Sequence, residues 1–184
     1  LRMTGQLLVV KAGSPPPKHL TLKLALSGDE ELWLVDQRKF ATIDWLPRGG
    51  DFPRGLGVEP LSREFTGQRL VEICQGRRAP IKALLLNQQH IAGLGNIYAD
   101  ESLFRAKVRP DRMAGSLSAK EVRRLHRAIR AVLRESLIAG GTSVRNYVNA
   151  EGKQGAYQNE LKVYGRGGEP CVVCQTPLER IKIG

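Results

Sequence analysis

Ala79-Pro-Ile-Lys-Ala-Leu-Leu-Leu86 and Gly93-Leu-Gly-Asn-Ile-Tyr-Ala-Asp-Glu101 decide how this 184-residue chain is read. The first stretch predicts a helix over Ala79–Gln89, with Pro80 suited to its first turn, where the missing N–H costs nothing. The second predicts a helix over Asn96–Arg105. Between them lies Ile91-Ala-Gly-Leu-Gly95, whose two glycines permit positive φ and a close backbone approach. Asn96 then stands at a helix start, where free N–H groups and the helix dipole favour an anion. Two readings stay open: Asn96 is an N-cap, or it holds a phosphate.

Working outward, the helical pattern extends in both directions. Leu61–Gly76 predicts a short helix. Ser118-Ala-Lys-Glu121 has capping-box spacing and opens a helix that runs to Ile138, where Gly140-Gly141 stops it. Val122, Leu125, Ile129, Val132 and Leu133 line one face of that helix. Arg123, Arg124, Arg127, Arg130 and Arg134 fall mostly off the stripe and are read as a solvated face in preference to a DNA contact.

Residues 1–46 predict strands over Gln6–Val10, Leu20–Leu26, Glu31–Val35 and Thr42–Leu46. Leu20, Leu22, Leu24 and Leu26 fall at period two on one face. Pro47–Pro60, rich in glycine and proline, is the best boundary in the chain. The expected fold class is therefore α+β and multidomain. Residues 1–48 form part of an antiparallel β domain, 49–60 a linker and 61–161 an all-α domain, with a cysteine-bearing ribbon over 162–184. Leu1 in place of Met, and Ile181–Gly184 read as a strand cut short, give the expectation of an internal piece of a longer protein.

Charge and cysteine usage narrow the partners. Lys and Arg number 29 against 18 Asp and Glu, a net charge of +11. That excess favours a polyanion. No apolar run approaches the roughly 18 residues of a membrane-spanning helix. Three cysteines are too few for a disulfide scaffold, and Cys74 is expected to pack as a small apolar group. Cys171-Val-Val-Cys174 offers two thiolates for a tetrahedral zinc, half a site. A redox pair at a helix start is argued against by the flanking glycines and prolines, so a truncated zinc ribbon is preferred. Asp36-Gln-Arg38-Lys-Phe40 couples cations to an aromatic at a strand end. With Met3 it offers the wedge that base-extruding proteins insert into the stack, although Met and Phe in β segments are usually core.

Taken together these residues resemble the bacterial formamidopyrimidine-DNA glycosylase family, along essentially the whole chain. Ala79–Glu101 looks like its helix–two-turns–helix motif. Gly140-Gly-Thr-Ser-Val-Arg-Asn-Tyr147 resembles its lesion loop, and Val163 through Cys174 the first half of its four-cysteine zinc finger. The resemblance implies a partial β-sandwich, a helix–two-turns–helix domain and a truncated zinc-finger β-hairpin. It implies a bifunctional glycosylase/AP lyase acting on 8-oxoguanine and formamidopyrimidines in damaged double-stranded DNA. The protein would be a monomer in the bacterial cytoplasm, with one Zn2+ per full-length chain. It further implies DNA contacts from His19, Arg38, Arg77, Lys82 and Asn96, and void filling by Met3, Arg38 and Phe40. Thr142, Ser143, Val144, Arg145, Asn146 and Tyr147 would meet the lesion, and Cys171 and Cys174 would bind zinc.

The family's catalytic proline amine matches no residue here, so the chain by itself is expected to bind without catalysing. Asp36-Gln-Arg-Lys-Phe-Ala41 departs from the family's Asp-Pro-Arg-Arg-Phe-Gly, and Gln175 replaces a Gly where positive φ is expected. An endonuclease VIII-type enzyme and a non-catalytic zinc-ribbon module for DNA or RNA are the alternatives.

Overall fold

The computed structural model describes residues 5–47, 55–143 and 155–183. The chain divides into two compact units, one from Leu1–Gly50 and Ser136–Glu160, the other from Asp51–Glu135 and Leu161–Gly184.

The first unit holds a three-stranded antiparallel sheet of β1 (Gly5–Lys11), β2 (Leu20–Ala25) and β3 (Glu30–Asp36), in the order β1-β3-β2. The central strand carries the burial: Trp33 and Leu34 are covered. Trp33 donates its indole N–H to Glu31 (2.8 Å), and Lys23 reaches the same carboxylate. The Lys23 ammonium first, then the indole, hold Glu31 below the usual carboxylate range. Three of the expected strands form. The fourth does not: Thr42–Leu46 is irregular, and Trp45 is 95% exposed. A strand exists only against a partner backbone, and no described residue pairs with this segment. The single leucine face of β2 is also corrected. Leu22 and Leu24 face Leu34 and Leu32, but the register shifts after Leu20, which pairs with Val35. A bulge switches the side chain across the pleat.

The second unit is helical, with α1 (Gly67–Cys74), α2 (Ile81–Leu86), α3 (Asn96–Arg105) and the first turns of α4 (Ala119–Ile138). Leu70, Leu85, Ile91, Leu94, Leu103, Leu125 and Ile129 are essentially fully buried in its core. The apolar stripe expected on α4 is buried, with Leu133 partly so. Its capping box forms as well: Ser118 donates its N–H to Glu121 (2.9 Å), and Glu121 returns its own to the Ser118 hydroxyl (3.3 Å).

α1 begins later than Leu61. The carbonyls of Pro60, Leu61 and Ser62 accept from the Arg130 guanidinium, and Thr66 caps the helix through the Arg69 N–H (3.0 Å). Carbonyls used this way leave a helix no ladder to build. Arg124 likewise donates to the Ala106 carbonyl (2.6 Å). The α4 arginines are thus not one solvated face: Arg124 and Arg130 are internal ties, while Arg123, Arg127 and Arg134 are exposed. No helix among the described residues is long and apolar enough to cross a membrane.

Candidate functional site

The turn between α2 and α3 is assembled from backbone groups and one amide side chain. Gln88 donates to the carbonyls of Leu86 (3.0 Å) and Leu94 (3.1 Å) and accepts from the Gly93 N–H (2.7 Å). Gly93 takes φ +76°. Residues 57 and 58 run alongside: Gly57 donates to the Gln88 carbonyl (2.7 Å), and Val58 bridges Ile91 in parallel. A Cβ on Gly57 would overlap the His90 carbonyl, so only glycine allows this approach. Ile91 and Leu94, fully buried, pin the turn to the core.

This construction delivers α3 with an open start. Gly95, extended at φ −104°, occupies the N-cap position and supplies no side-chain cap. Asn96 is the first helical residue and is exposed. The capping reading of Asn96 is therefore set aside, because its side chain stands one residue too late to serve the cap. Lys82, on α2, does not project freely. Its ammonium lies 2.8 and 3.0 Å from the two Asp100 carboxylate oxygens, with side-chain exposures of 13% and 23%. Arg77 is exposed, its backbone carbonyl accepting from Gly115 (2.9 Å).

At its other end α3 meets the tail. Glu101, buried, accepts the N–H groups of Lys162, Val163 and Tyr164 at 2.9–3.0 Å. Arg105 pairs with Glu135 through two 2.7 Å bonds. Beyond the clamp, Cys171 donates its N–H to Thr176 and accepts from Gln175 (both 2.9 Å), closing a turn with Gln175 at φ +63°. The positive φ expected at Gln175 is present. Cys171 is buried and Cys174 exposed, and the Val173 N–H points to the Cys171 sulfur (3.4 Å). Contact with Thr176 first, then with Cys171, holds the Cys174 thiol below its ordinary range. Burial pushes Cys74 up to about 11, as suits an apolar packing role. Among the described residues no group of three His, Cys, Asp or Glu side chains could hold a metal.

In the sheet unit, Asp36 is fully buried and organises the turn after β3. Its carboxylate accepts from the N–H groups of Arg38 (3.2 Å) and Ala41 (2.7 Å). The positive φ falls on Lys39 (+55°), so Ala41 stands where no glycine is required. Arg38 lies over the Phe40 ring, 4.8 Å from its centroid, and Phe40 is half exposed. His19, at φ +145°, accepts the Asp36 N–H at its carbonyl (3.0 Å). Thr142 is buried, and Ser143 donates its N–H to the Gln158 side chain (2.9 Å). Met3 and Val144, Arg145, Asn146 and Tyr147 lie outside the described residues.

Two family profiles match: the formamidopyrimidine-DNA glycosylase H2TH domain over residues 56–148, and the N-terminal domain of the same enzyme over residues 1–43. The formamidopyrimidine-DNA glycosylase of Symbiobacterium thermophilum is 48% identical over all of this chain and 61% of its own length. The chain belongs to the formamidopyrimidine-DNA glycosylase family. The glycosylase of Brevibacillus brevis is 44% identical, the chain covering 68% of it. Among solved structures, the MutM (Fpg) protein of Thermus thermophilus superposes with a TM-score of 0.88 at 39% identity, over the whole chain and 69% of that protein. Lactococcus lactis Fpg, in complex with DNA containing N7-benzyl-Fapy-dG, gives 0.88 at 33% identity, over the whole chain and 68% of that protein. The chain thus spans about two thirds of the length of its formamidopyrimidine-DNA glycosylase relatives.

Proline and glycine punctuation made the α2–α3 turn readable in advance. Gln88, Asp100 and Glu101 were not singled out for roles by sequence reasoning.

Proposed function

We propose that the protein carrying this chain is a base-excision repair enzyme of the bacterial cytoplasm. It is a monomeric, bifunctional DNA glycosylase/AP lyase that removes 8-oxoguanine and formamidopyrimidines from double-stranded DNA. Identity of 44–48% to formamidopyrimidine-DNA glycosylases, over alignments that cover the whole chain, carries this reading. The covalent step in this family uses a proline amine on the sugar C1′, followed by eliminations that cut the strand. No residue here is assigned to it.

The residues of this chain bind and orient. The open start of α3, with Asn96 and the exposed Arg77, grips the phosphate backbone without reading sequence, and Lys82 adds to that contact; His19, in the sheet unit, touches the DNA backbone on its own account. Arg38 and Phe40, already stacked, occupy with Met3 the gap left by the everted nucleotide. Thr142 and Ser143, with Val144–Tyr147, meet the extruded base. The three-stranded sheet is read as one part of a β-sandwich. In domain terms, 1–48 belongs to that sandwich, 49–60 to a linker and 61–161 to the helix–two-turns–helix domain, with 162–184 beginning a zinc finger.

The donor set of the cysteine turn fits zinc. Two thiols share one turn, an amide already points at one sulfur, and the other is held toward thiolate. Cys171 and Cys174 supply two of four ligands, and the metal would contribute folding energy rather than chemistry.

The test is incubation of the full-length protein with a duplex carrying one 8-oxoguanine. Base release with strand cleavage at the lesion is expected. Tight binding to duplex or RNA without any cleavage would favour the non-catalytic zinc-ribbon module instead.

A further inference from the structure

Asn96 and Asp100 stand four residues apart on α3, so they share a face one helical turn apart. Lys82 reaches this face from α2, and its ammonium sits between both Asp100 oxygens at 2.8 and 3.0 Å. One turn below the exposed, uncapped helix start, the protein therefore places a cation and then cancels it. The pair is not sealed away: 13% and 23% of the two side chains remain accessible. An incoming anion can compete for the ammonium without unfolding anything.

We infer that Asp100 is a tuning residue for the DNA contact, holding Lys82 in reserve so that the grip of α3 on duplex backbone stays weaker than its cations would allow. This rests on the reading of the α3 start as a phosphate site. A repair enzyme must release undamaged duplex, whose affinity is set almost wholly by phosphate neutralisation. A carboxylate that competes with phosphate for Lys82 limits that term. In the duplex complex Lys82 exchanges Asp100 for a phosphate oxygen, or shares itself between them, at a cost in affinity that Asp100 sets.

The experiment measures affinity of the full chain for undamaged duplex across a salt titration, in four variants beside the parent. D100N frees Lys82 and is expected to bind roughly fivefold tighter, the worth of one partly exposed ion pair, with the log–log salt slope steeper by about 0.9. K82Q is expected to weaken binding, and D100N/K82Q to lose the gain of D100N. E135Q makes the same change in net charge beside Arg105, roughly 7.5 Å of helix rise beyond Asp100 and further still from the helix start, and is expected to leave the slope at the parent value. Thermal melting of each variant confirms that the fold is retained. A D100N protein with parental or weaker affinity, or an equal gain in E135Q, overturns the inference while leaving the proposed function standing. A parent chain whose duplex affinity ignores salt removes both.

Discussion

In its C-terminal half α3 is tied down twice, by Arg105 to Glu135 and by Glu101 to the backbone of residues 162–164, whereas its N-terminal end carries no side-chain cap and exposes Asn96. Both ends belong to one ten-residue helix, and each has orphan backbone groups to satisfy. At one end the carbonyls of Ser102, Leu103 and Phe104 accept the N–H groups of Ala106, Val108 and Lys107; the other end has no side-chain cap and is proposed to meet phosphate. What is invested in rigidity at the closed end fixes the direction in which the open end points.

Breaking the closed end should have the largest effect. Glu101→Ala leaves three inward N–H groups without their acceptor. At about 1–3 kcal/mol per unsatisfied donor, we expect a loss of about 3 kcal/mol and a fall in Tm of roughly 6–12 °C. Glu101→Gln, which keeps an acceptor, should lose less. Calorimetry on both variants decides this, and equal melting of parent and Glu101→Ala would deny the clamp. Distorting the turn that aims the open end comes next. Gly57→Ala forces a methyl onto the His90 carbonyl, and we expect about 1–3 kcal/mol of destabilisation, together with weaker duplex binding. Loss of stability without any loss of binding would separate the turn from the interface.

Smaller effects sharpen the contrast. Glu135→Ala removes an exposed pair, and about 0.5 kcal/mol or less is expected in denaturant unfolding. The smallest concerns acid. Arg112, then the Ser118 N–H and hydroxyl, lower the Glu121 pKa from 4.5 to about 2. A depressed folded-state pKa stabilises above the unfolded value and is lost as pH falls from about 4.5 toward 2. Glu121→Gln should therefore be less stable than the parent at pH 8 and show a flatter acid arm, the two converging as pH falls from about 4.5 toward 2. An unchanged acid arm would mean that the carboxylate is not held by its cap.

The open end was legible in the sequence because it is written in local chemistry. Pro80, Gly93, Gly95 and the apolar spacing from Ile81 to Leu86 punctuate it within twenty-odd residues, and α3 runs over the predicted Asn96–Arg105. The closed end was not legible. Glu101 lies opposite Ala99 and Leu103 on the helix, where period 3.6 puts solvent. Its partners are about sixty residues downstream, and only the folded chain brings them together. The same holds for Arg130 on the carbonyls of 60–62, which shortened α1, and for the bulge after Leu20, which a period-two count cannot see. Thr42–Leu46 failed for the complementary reason, a strand pattern without a described partner.

We propose above that the open start of α3 is a phosphate grip. The most direct measurement is the salt dependence of duplex affinity for the parent chain and Asn96→Ala. Asn96→Ala is expected to bind lesion-bearing and undamaged duplex more weakly by the same factor, since phosphate contacts carry no sequence information. Superimposable salt titrations of parent and variant would contradict it.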